Sequence, residues 1–244
     1  MTVGAIIQAR MGSTRLPGKA LADIAGMSML ARVVDRAHRA RTIDRVIVAT
    51  TTNPHDDALA EHARALDVEV YRGDEDDVLD RYYQASLHHG FDLVVRITSD
   101  CPLLDPGLAD DVVRLLLDPA SGADYAANTI TRTYPRGLDV EAVPFATLAR
   151  VWRDATSEHE RAHVFPHIYE HPEQFRIAGV AHSVDRSGMR WTVDTPDDLA
   201  FVREVCGLLG TLEFTWTDVL KVLDANPELL RINAQVRQRS AHDR

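Results

Sequence analysis

Short apolar runs alternate with amphipathic segments along the first hundred residues, and this alternation restricts the possible folds more than any other feature of the chain. The runs have the length and composition of buried strands and cover residues 3–7, 45–49, 68–71 and 93–97. The segments between them carry apolar residues at helical spacing. The pattern predicts an α/β protein with a mainly parallel sheet and helices on both faces.

Helices are expected where the helical spacing is clearest, at residues 29–40, 56–66, 78–88, 108–117, 145–156, 158–169 and 196–209. Thr195 is a plausible N-cap for the last of these, since Pro196 and two acids follow it. Two further strands are expected at 124–127 and 190–194, and residues 133–141 are interpreted as an excursion from the sheet. We expect one domain over residues 1–210 and a helical tail over 211–244, with helices at 217–223 and 227–239.

The loop after the first strand contains three cations, Arg10, Arg15 and Lys19, together with Gly12 and Ser13. Glycine lets backbone N–H groups approach a phosphate, while arginine and lysine neutralise its charge. The spacing matches neither the GxxxxGK[ST] nor the GxGxxG motif. The loop is therefore a candidate polyphosphate site, and a basic surface loop that binds nothing is the alternative.

Two aspartates follow strand-like runs directly, Asp100 after the fourth run and Asp194 after residues 190–193. Binding sites of parallel sheets lie at the carboxyl ends of the strands, where the cationic loop also lies. Paired carboxylates near a phosphate loop suit Mg²⁺, which takes oxygen ligands. The alternative is that each aspartate caps the helix or turn that follows it. For Asp194 the sequence favours neither interpretation over the other.

Histidines recur at every fourth position, as His159, His163, His167 and His171, so a continuous helix would place them on one face. Histidines at this spacing can bind zinc. Two prolines interrupt the segment, however, and the sequence shows no third ligand. A polar helix face on which Glu160 or His163 touches a ligand is the favoured interpretation.

Overall composition excludes several classes of protein. The net charge of −10 gives no electrostatic footprint for nucleic acid or for an anionic membrane. No apolar run approaches 18 residues and no signal-type segment begins the chain, so we expect a cytoplasmic protein with no membrane partner. Cys101 and Cys206 lack metal-type spacing and are expected to be buried free thiols; Cys101 has no evident histidine partner for a role as nucleophile.

Several motifs together resemble a known family. The segments IIQARMGSTRLPGKAL, TSDCPLLDP, YPRGLDVE, ERAHV and RWTVDTPDDL, with the tail WTDVLKVLDANPELLRIN, are similar to the spore coat polysaccharide biosynthesis protein F family of cytidylyltransferases. The enzymes that make CMP-3-deoxy-manno-octulosonate and CMP-acylneuraminate are more distant relatives. The resemblance covers nearly the whole chain and implies a nucleotide-diphosphosugar-transferase-like, Rossmann-like α/β fold, with a homodimer as the expected assembly.

The resemblance also implies roles for individual residues. Arg15, Lys19 and Asp100 would be catalytic, and Asp100 and Asp194 would hold Mg²⁺. The implied nucleotide-binding residues are Ala9, Arg10, Met11, Gly12, Ser13, Arg15, Lys19, Thr50, Arg72, Gly73 and Ser99. The implied acceptor-binding residues are Asn128, Arg136, Asp139, Glu141 and His163.

The implied reaction transfers CMP from CTP to a sugar-acid, phosphate or phosphonate acceptor and releases pyrophosphate. Acceptor identity does not carry over, because relatives differ around the second strand and the excursion. Three alternatives stay open: a nucleotidyltransferase that uses another nucleoside triphosphate, a glycosyltransferase that consumes a nucleotide sugar, and a non-catalytic nucleotide-binding or scaffold protein. No DxD-type metal motif of the kind expected for a glycosyltransferase occurs near Asp100.

Overall fold

A computed structural model of the chain describes residues 1–238, and within that range the strands form one large sheet and one short hairpin. The strands are β1 (Val3–Gln8), β2 (Asp23–Ile24), β3 (Met27–Ser28), β4 (Arg45–Thr51), β5 (Glu69–Gly73), β6 (Leu93–Thr98), β7 (Tyr125–Ala127), β8 (Glu141–Pro144) and β9 (Ile177–Gly179). The large sheet has the order β5-β4-β1-β6-β8-β7-β9, and β2 pairs with β3.

Most neighbouring strands of the large sheet run parallel. The pairs β5-β4, β4-β1, β1-β6 and β7-β9 are parallel, whereas β8 runs antiparallel to both β6 and β7. The expectation of a mainly parallel sheet is confirmed. The parallel half, from β5 to β6, brings the carboxyl ends of its strands to one edge, and the cationic loop follows β1 at that edge.

Helices cover both faces of the sheet. They are α1 (Met29–His38), α2 (Asp57–Ala65), α3 (Val78–His89), α4 (Pro106–Leu117), α5 (Phe145–Asp154), α6 (Glu158–His163), α7 (Pro166–Glu170), α8 (Pro196–Leu209) and α9 (Trp216–Ala225). The predicted Thr195 cap is confirmed, because its hydroxyl accepts from the Asp198 N–H and the Asp198 carboxylate accepts from the Thr195 N–H. Short 3-10 helices occur at Lys19–Leu21, Pro54–Asp56 and Pro227–Arg231.

Alternate residues of β1 face two separate cores, as expected for a strand covered on both sides. Ala5 and Ile7 pack with α1 and α4, whereas Ile6 packs with α3, α5 and α7. A third core joins α8 and α9 to the segment around Trp191, which is fully buried. Both cysteines are free and buried, as expected.

Residues 133–140 lie outside the strands, as expected of an excursion, but they belong to the core, because Leu138 and Val140 are fully buried and Glu141 begins β8. Two other sequence expectations about secondary structure are wrong. The 158–169 helix breaks at Val164, since Pro166 opens a new helix and disfavours helical geometry before it. The tail beyond Pro227 is a short 3-10 helix within the described residues, and Arg239 lies outside them.

The expected strand at 190–194 is also wrong. Its regular pairing is limited to one isolated parallel bridge, between Arg136 and Arg190. The Trp191 N–H donates to the Arg136 carbonyl at 2.7 Å, and the Arg136 N–H donates to the Met189 carbonyl at 3.0 Å. The segment is therefore held against the loop before β8, and the residues that follow the bridge turn towards the cationic loop.

This close approach depends on Gly137, which has a φ of 106°. A Cβ at this position would lie 2.5 Å from the Thr192 nitrogen and 2.6 Å from the Trp191 carbonyl carbon. Because both atoms belong to the backbone, we expect Gly137→Ala to lower the free energy of unfolding by about 1–3 kcal/mol. Chemical denaturation checks this. Gly188→Ala is the matched control, since no atom lies within 4 Å of its Cβ, and equal stability of the two variants would contradict the account.

Candidate active site

The ammonium group of Lys19 joins the two predicted metal-binding aspartates. Its Nζ donates to Asp100 Oδ2 at 2.9 Å, to Asp194 Oδ1 at 2.9 Å and to the Val193 carbonyl at 2.8 Å. All three N–H donors of the ammonium are thus used, and only 12% of the side chain is exposed. Lys19, Asp100 and Asp194 therefore lie in direct contact, as expected from the sequence.

Asp194 is held by two further cations. Its Oδ2 lies 3.0 Å from the Arg15 guanidinium and 2.8 Å from that of Arg190. Arg190 also binds both oxygens of Asp198, at 2.8 and 3.0 Å. Within this cluster three cations (Arg15, Lys19, Arg190) face three carboxylates (Asp100, Asp194, Asp198), so the formal charges cancel.

Asp100 is fixed from the side of β6. The Thr98 hydroxyl donates to its Oδ1 at 2.7 Å, and the Val193 N–H donates to its carbonyl at 2.9 Å. Burial raises the pKa of Asp100, but the Lys19 charge and the hydrogen bonds from Thr98 and Lys19 outweigh burial and lower this pKa to about 2. Burial lowers the pKa of Lys19, and the charges of both aspartates outweigh it and raise that pKa.

The low pKa of Asp100 predicts the pH at which the ion pair between Lys19 and Asp100 is lost. Because the pKa is depressed below its usual 3.8, the pair persists below that pH and is lost as the pH falls through about 2. We expect Lys19→Met to raise the pKa of Asp100, since burial then acts without the opposing charge. Carboxyl ¹³C NMR titration of aspartate-labelled protein measures it, and an unchanged Asp100 midpoint in the variant would contradict the account.

The cationic loop leaves backbone donors free. Gly18, with a φ of 71°, donates to the Met11 carbonyl at 3.2 Å, and the Leu16 N–H donates to the Ser13 hydroxyl at 3.3 Å. Among the described residues, no acceptor pairs with the N–H groups of Arg10, Gly12, Thr14 and Arg15. Free N–H groups beside cationic side chains are the means by which loops bind phosphate.

The predicted base and ribose residues lie at the ends of β4 and β5. Arg72 donates to the carbonyls of Thr51 and Asn53, at 2.7 and 3.0 Å, so its guanidinium links the two strand ends. The Thr50 hydroxyl is fully buried and has no hydrogen-bond partner within residues 1–238. Gly73 lies in register with Thr51. The N–H groups of Ala9, Met11 and Ser99 are used inside the protein, by the Ala49 carbonyl, the Asp56 carboxylate and the Gln8 carbonyl.

On the predicted acceptor side, Arg136 presents a guanidinium that forms no ion pair with a described carboxylate. Asp139 is held by Arg132 through two contacts of 2.6 and 2.7 Å. Burial and the neighbouring charges of Arg132 and Arg190 lower the pKa of Arg136. The bridge to Arg190 sets Arg136 beside the segment that carries Asp194.

Glu141 and Asn128 are both buried in the sheet. Glu141 accepts from the Tyr125 hydroxyl at 2.6 Å and pairs with Arg96. Asn128 donates to the Leu138 carbonyl at 2.7 Å and accepts from the Val140 N–H at 2.9 Å. These contacts hold β8 in place, so the geometry assigns Asn128 a structural part. His163 ends α6, with its ring 4.9 Å from that of His159.

Several residues at the site had no counterpart in the sequence interpretation. Arg190 and Asp198 orient Asp194, and Asn233 of the tail donates to Asp198 at 3.1 Å. The fourth-residue spacing from Arg190 to Asp194 and on to Asp198 was the available signal. The ion pair of Arg96 with Glu141 could not be predicted, because Arg96 lies within an otherwise apolar strand.

Comparison with known proteins agrees with this geometry. Residues 4–218 match the sequence model of a family described as cytidylyltransferase. The chain is 29% identical to the spore coat polysaccharide biosynthesis protein SpsF of Bacillus subtilis, over 91% of this chain and 94% of that protein. A solved cytidylyltransferase of Leptospira borgpetersenii is 32% identical, with a TM-score of 0.91 over 98% of this chain and 99% of that one.

A structure of CMP-2-keto-3-deoxy-manno-octonic acid synthetase complexed with CTP has a TM-score of 0.67, at 20% identity, over 86% of this chain and all of that one. The family match defines an enzyme of the nucleotidyltransferase class, and the fold has the predicted nucleotide-diphosphosugar-transferase-like architecture. The chain belongs to the cytidylyltransferase family. None of the described helices is long and apolar enough to span a bilayer.

Proposed function

We propose that this protein transfers a cytidylyl group from CTP to a small anionic acceptor and releases pyrophosphate. The observation that carries the proposal is Lys19, held at 2.9 Å from both Asp100 and Asp194 beside a loop with free backbone N–H groups. CTP, rather than another triphosphate, is supported by the family and by the relative that was solved with CTP.

The two carboxylates fit a magnesium ion, because they offer hard oxygen ligands from neighbouring chain segments. When bound, Mg²⁺ neutralises charge on the triphosphate and polarises its phosphorus. In the geometry described here, Lys19 holds the position between the carboxylates, and the cluster has no net charge to attract a cation. Lys19 must therefore move off Asp100 and Asp194 before they can bind the metal.

A triphosphate gives Lys19 and Arg15 a new partner. Both cations can transfer from Asp194 to phosphate oxygens, which the free N–H groups of the loop also bind. Metal and nucleotide would then enter together, since the nucleotide draws away the cations that neutralise the carboxylates. Asp198 keeps Arg190 in place during this exchange.

In the reaction, an acceptor oxygen attacks the α-phosphorus of CTP. The bond from that phosphorus to the bridging oxygen breaks, and its electron pair leaves with pyrophosphate. Lys19 and Arg15 stabilise the charge that builds up on the leaving group, so positioning and charge neutralisation suffice and no protein nucleophile is needed. Cys101 fits this account, because burial raises the pKa of its thiol well above the usual value.

The acceptor would bind beside Arg136, whose guanidinium has no carboxylate partner among the described residues, with Arg132 and Arg190 close by. Arg132 and Arg190 are already paired with carboxylates, so the Arg136 guanidinium is the group that favours an acceptor with a carboxylate, phosphate or phosphonate group. The homodimer, the cytoplasmic location, and the division at residue 210 stay predictions.

Two assays on the purified protein test the function. Calorimetry with Mg²⁺ and each of the four triphosphates should show that CTP binds most tightly. Pyrophosphate should then form from CTP with at least one member of a panel of sugar acids, phosphates and phosphonates. Release of a nucleotide from a nucleotide sugar, without pyrophosphate from any triphosphate, would favour a glycosyltransferase and overturn the proposal.

A further inference from the structure

A second cluster of metal-ligand groups lies away from the phosphate loop, on α6 and α7. Glu160, His167 and His171 each offer a ligand atom, and the three atoms lie within 4.8 Å of one another. Glu160 and His167 are both buried, with 7% of each residue exposed, while His171 is half-buried. An ion could therefore enter from the side of His171.

A strained backbone brings these groups together. Val164, between α6 and α7, is fully buried and has a φ of 77°, which is rare for a β-branched residue. The reversal folds α7 back so that His167 meets Glu160, although a straight helix would not bring residues seven apart into contact. Strain of this kind persists only where the surrounding structure enforces it, and it concentrates at functional sites.

Glu160 is a buried carboxylate without a fixed cation. Its Oε2 accepts from the Thr156 N–H and from the N–H and hydroxyl of Ser157, at 2.8–3.1 Å. No described lysine or arginine forms an ion pair with it.

His167 supplies no complete compensation for that charge. Its Nδ1 lies 2.5 Å from Glu160 Oε1, but its Nε2 is buried with no hydrogen-bond partner among the described residues. A cation bound between Glu160 and His167 would place positive charge beside the carboxylate, which no described lysine or arginine does.

His171 is oriented as a ligand histidine is. Its Nδ1 lies 2.9 Å from the His167 carbonyl, so an N–H at Nδ1 leaves the lone pair of Nε2 available. A hydrogen bond from one ring nitrogen to a carbonyl is the usual support for a histidine that binds metal through the other. The ring lies 4.5 Å from that of His167, centroid to centroid.

We propose that Glu160, His167 and His171 form a divalent metal site of the zinc type, separate from the site at Asp100 and Asp194. The ion takes the position between Glu160 Oε1 and His167 Nδ1, the Nδ1 proton moves to Nε2 of the same neutral ring, and His171 is the third ligand through its Nε2. Two imidazoles and one carboxylate are a ligand set that zinc accepts, with water in the fourth position. Zinc ligand atoms lie about 3.3 Å apart at tetrahedral geometry, so Glu160 Oε1 and His167 Nδ1, now 2.5 Å apart, must separate to admit the ion.

A metal bound at this second site would stabilise α7, which lies beside Glu141 and Arg96. Tyr169 of α7 lies close enough to both for their charges to act on its hydroxyl; burial, followed by the Glu141 charge, raises the pKa of Tyr169 to about 12. A metal bound to Glu160 of α6 and His167 of α7 would therefore fix the position of α7, and with it the position of Tyr169 relative to Glu141 and Arg96.

Calorimetry with Zn²⁺ on the full chain, after removal of metals by chelation, tests the proposal. Excess Mg²⁺ and no nucleotide are used, so the outcome does not depend on the proposed transfer reaction. We expect one Zn²⁺ per chain and a higher Tm with the ion. His171→Asn should weaken binding by at least about 100-fold, because losing a ligand must cost more than losing an outer partner, which costs about 10- to 100-fold.

His55→Asn is the matched control, since His55 is exposed on a different segment, and it should bind Zn²⁺ as the unchanged protein does. Glu160→Gln provides a second variant that keeps the size of the side chain, and it should also lose binding. No binding by the unchanged protein, or equal affinity for Zn²⁺ in the His171→Asn variant, would overturn the proposal.

Discussion

Replacing Lys19 with methionine is expected to have two opposite effects. Turnover should fall by at least about 100-fold, because a cation that stabilises the leaving pyrophosphate is lost. The affinity for Mn²⁺ without nucleotide should rise, because Asp100 and Asp194 lose the ammonium group that lies 2.9 Å from each. Pyrophosphate release and Mn²⁺ electron paramagnetic resonance measure the two effects.

The chain offers a matched control, since Lys221 is its only other lysine. Lys221 lies on α9 with 75% of its side chain exposed and pairs with Asp218. Lys221→Met should leave both turnover and Mn²⁺ affinity unchanged. A Lys19→Met variant that is inactive but gains no Mn²⁺ affinity would contradict the account of Lys19 as the group that neutralises the metal site.

The second large effect is expected from Asp100→Asn. Asparagine keeps the size of the side chain and can still accept from Thr98, but it removes the charge from the metal site. We expect turnover to fall by at least about 100-fold and Mn²⁺ binding in the presence of CTP to weaken in parallel. The same two assays measure this.

Asp197→Asn is the control for Asp100→Asn. Asp197 is exposed in the first turn of α8, three residues after Asp194, so its loss changes the local charge without removing a ligand. It should keep nearly full turnover. Retention of normal turnover by Asp100→Asn would contradict the assignment of Asp100 to the metal site.

Much of the fold could be predicted because its signals are local. The strands β1, β4, β5 and β6 are short apolar runs, and the Thr195 cap requires only its immediate neighbours. The meeting of Lys19 with Asp100 followed from one rule, that parallel strands bring their carboxyl ends to the same edge.

Other features depend on contacts between distant segments. β8 and β9 are too short to show a periodic pattern, and they are strands because neighbouring strands pair with them. Asp194 reaches the site through the bridge between Arg136 and Arg190, which needs a glycine at 137. Glu160 could not be recognised as a third partner for the histidines, because the sequence does not show that the chain reverses at Val164.

The most direct test of the central claim is Mn²⁺ binding by the unchanged protein, measured by electron paramagnetic resonance with and without CTP after one equivalent of Zn²⁺ per chain has been added. Asp100 and Asp194 are neutralised by Lys19, Arg15 and Arg190 until a triphosphate draws cations away. We predict weak Mn²⁺ binding alone and tight binding of one ion per chain with CTP. Tight Mn²⁺ binding without nucleotide, or binding that CTP does not change, would contradict the account.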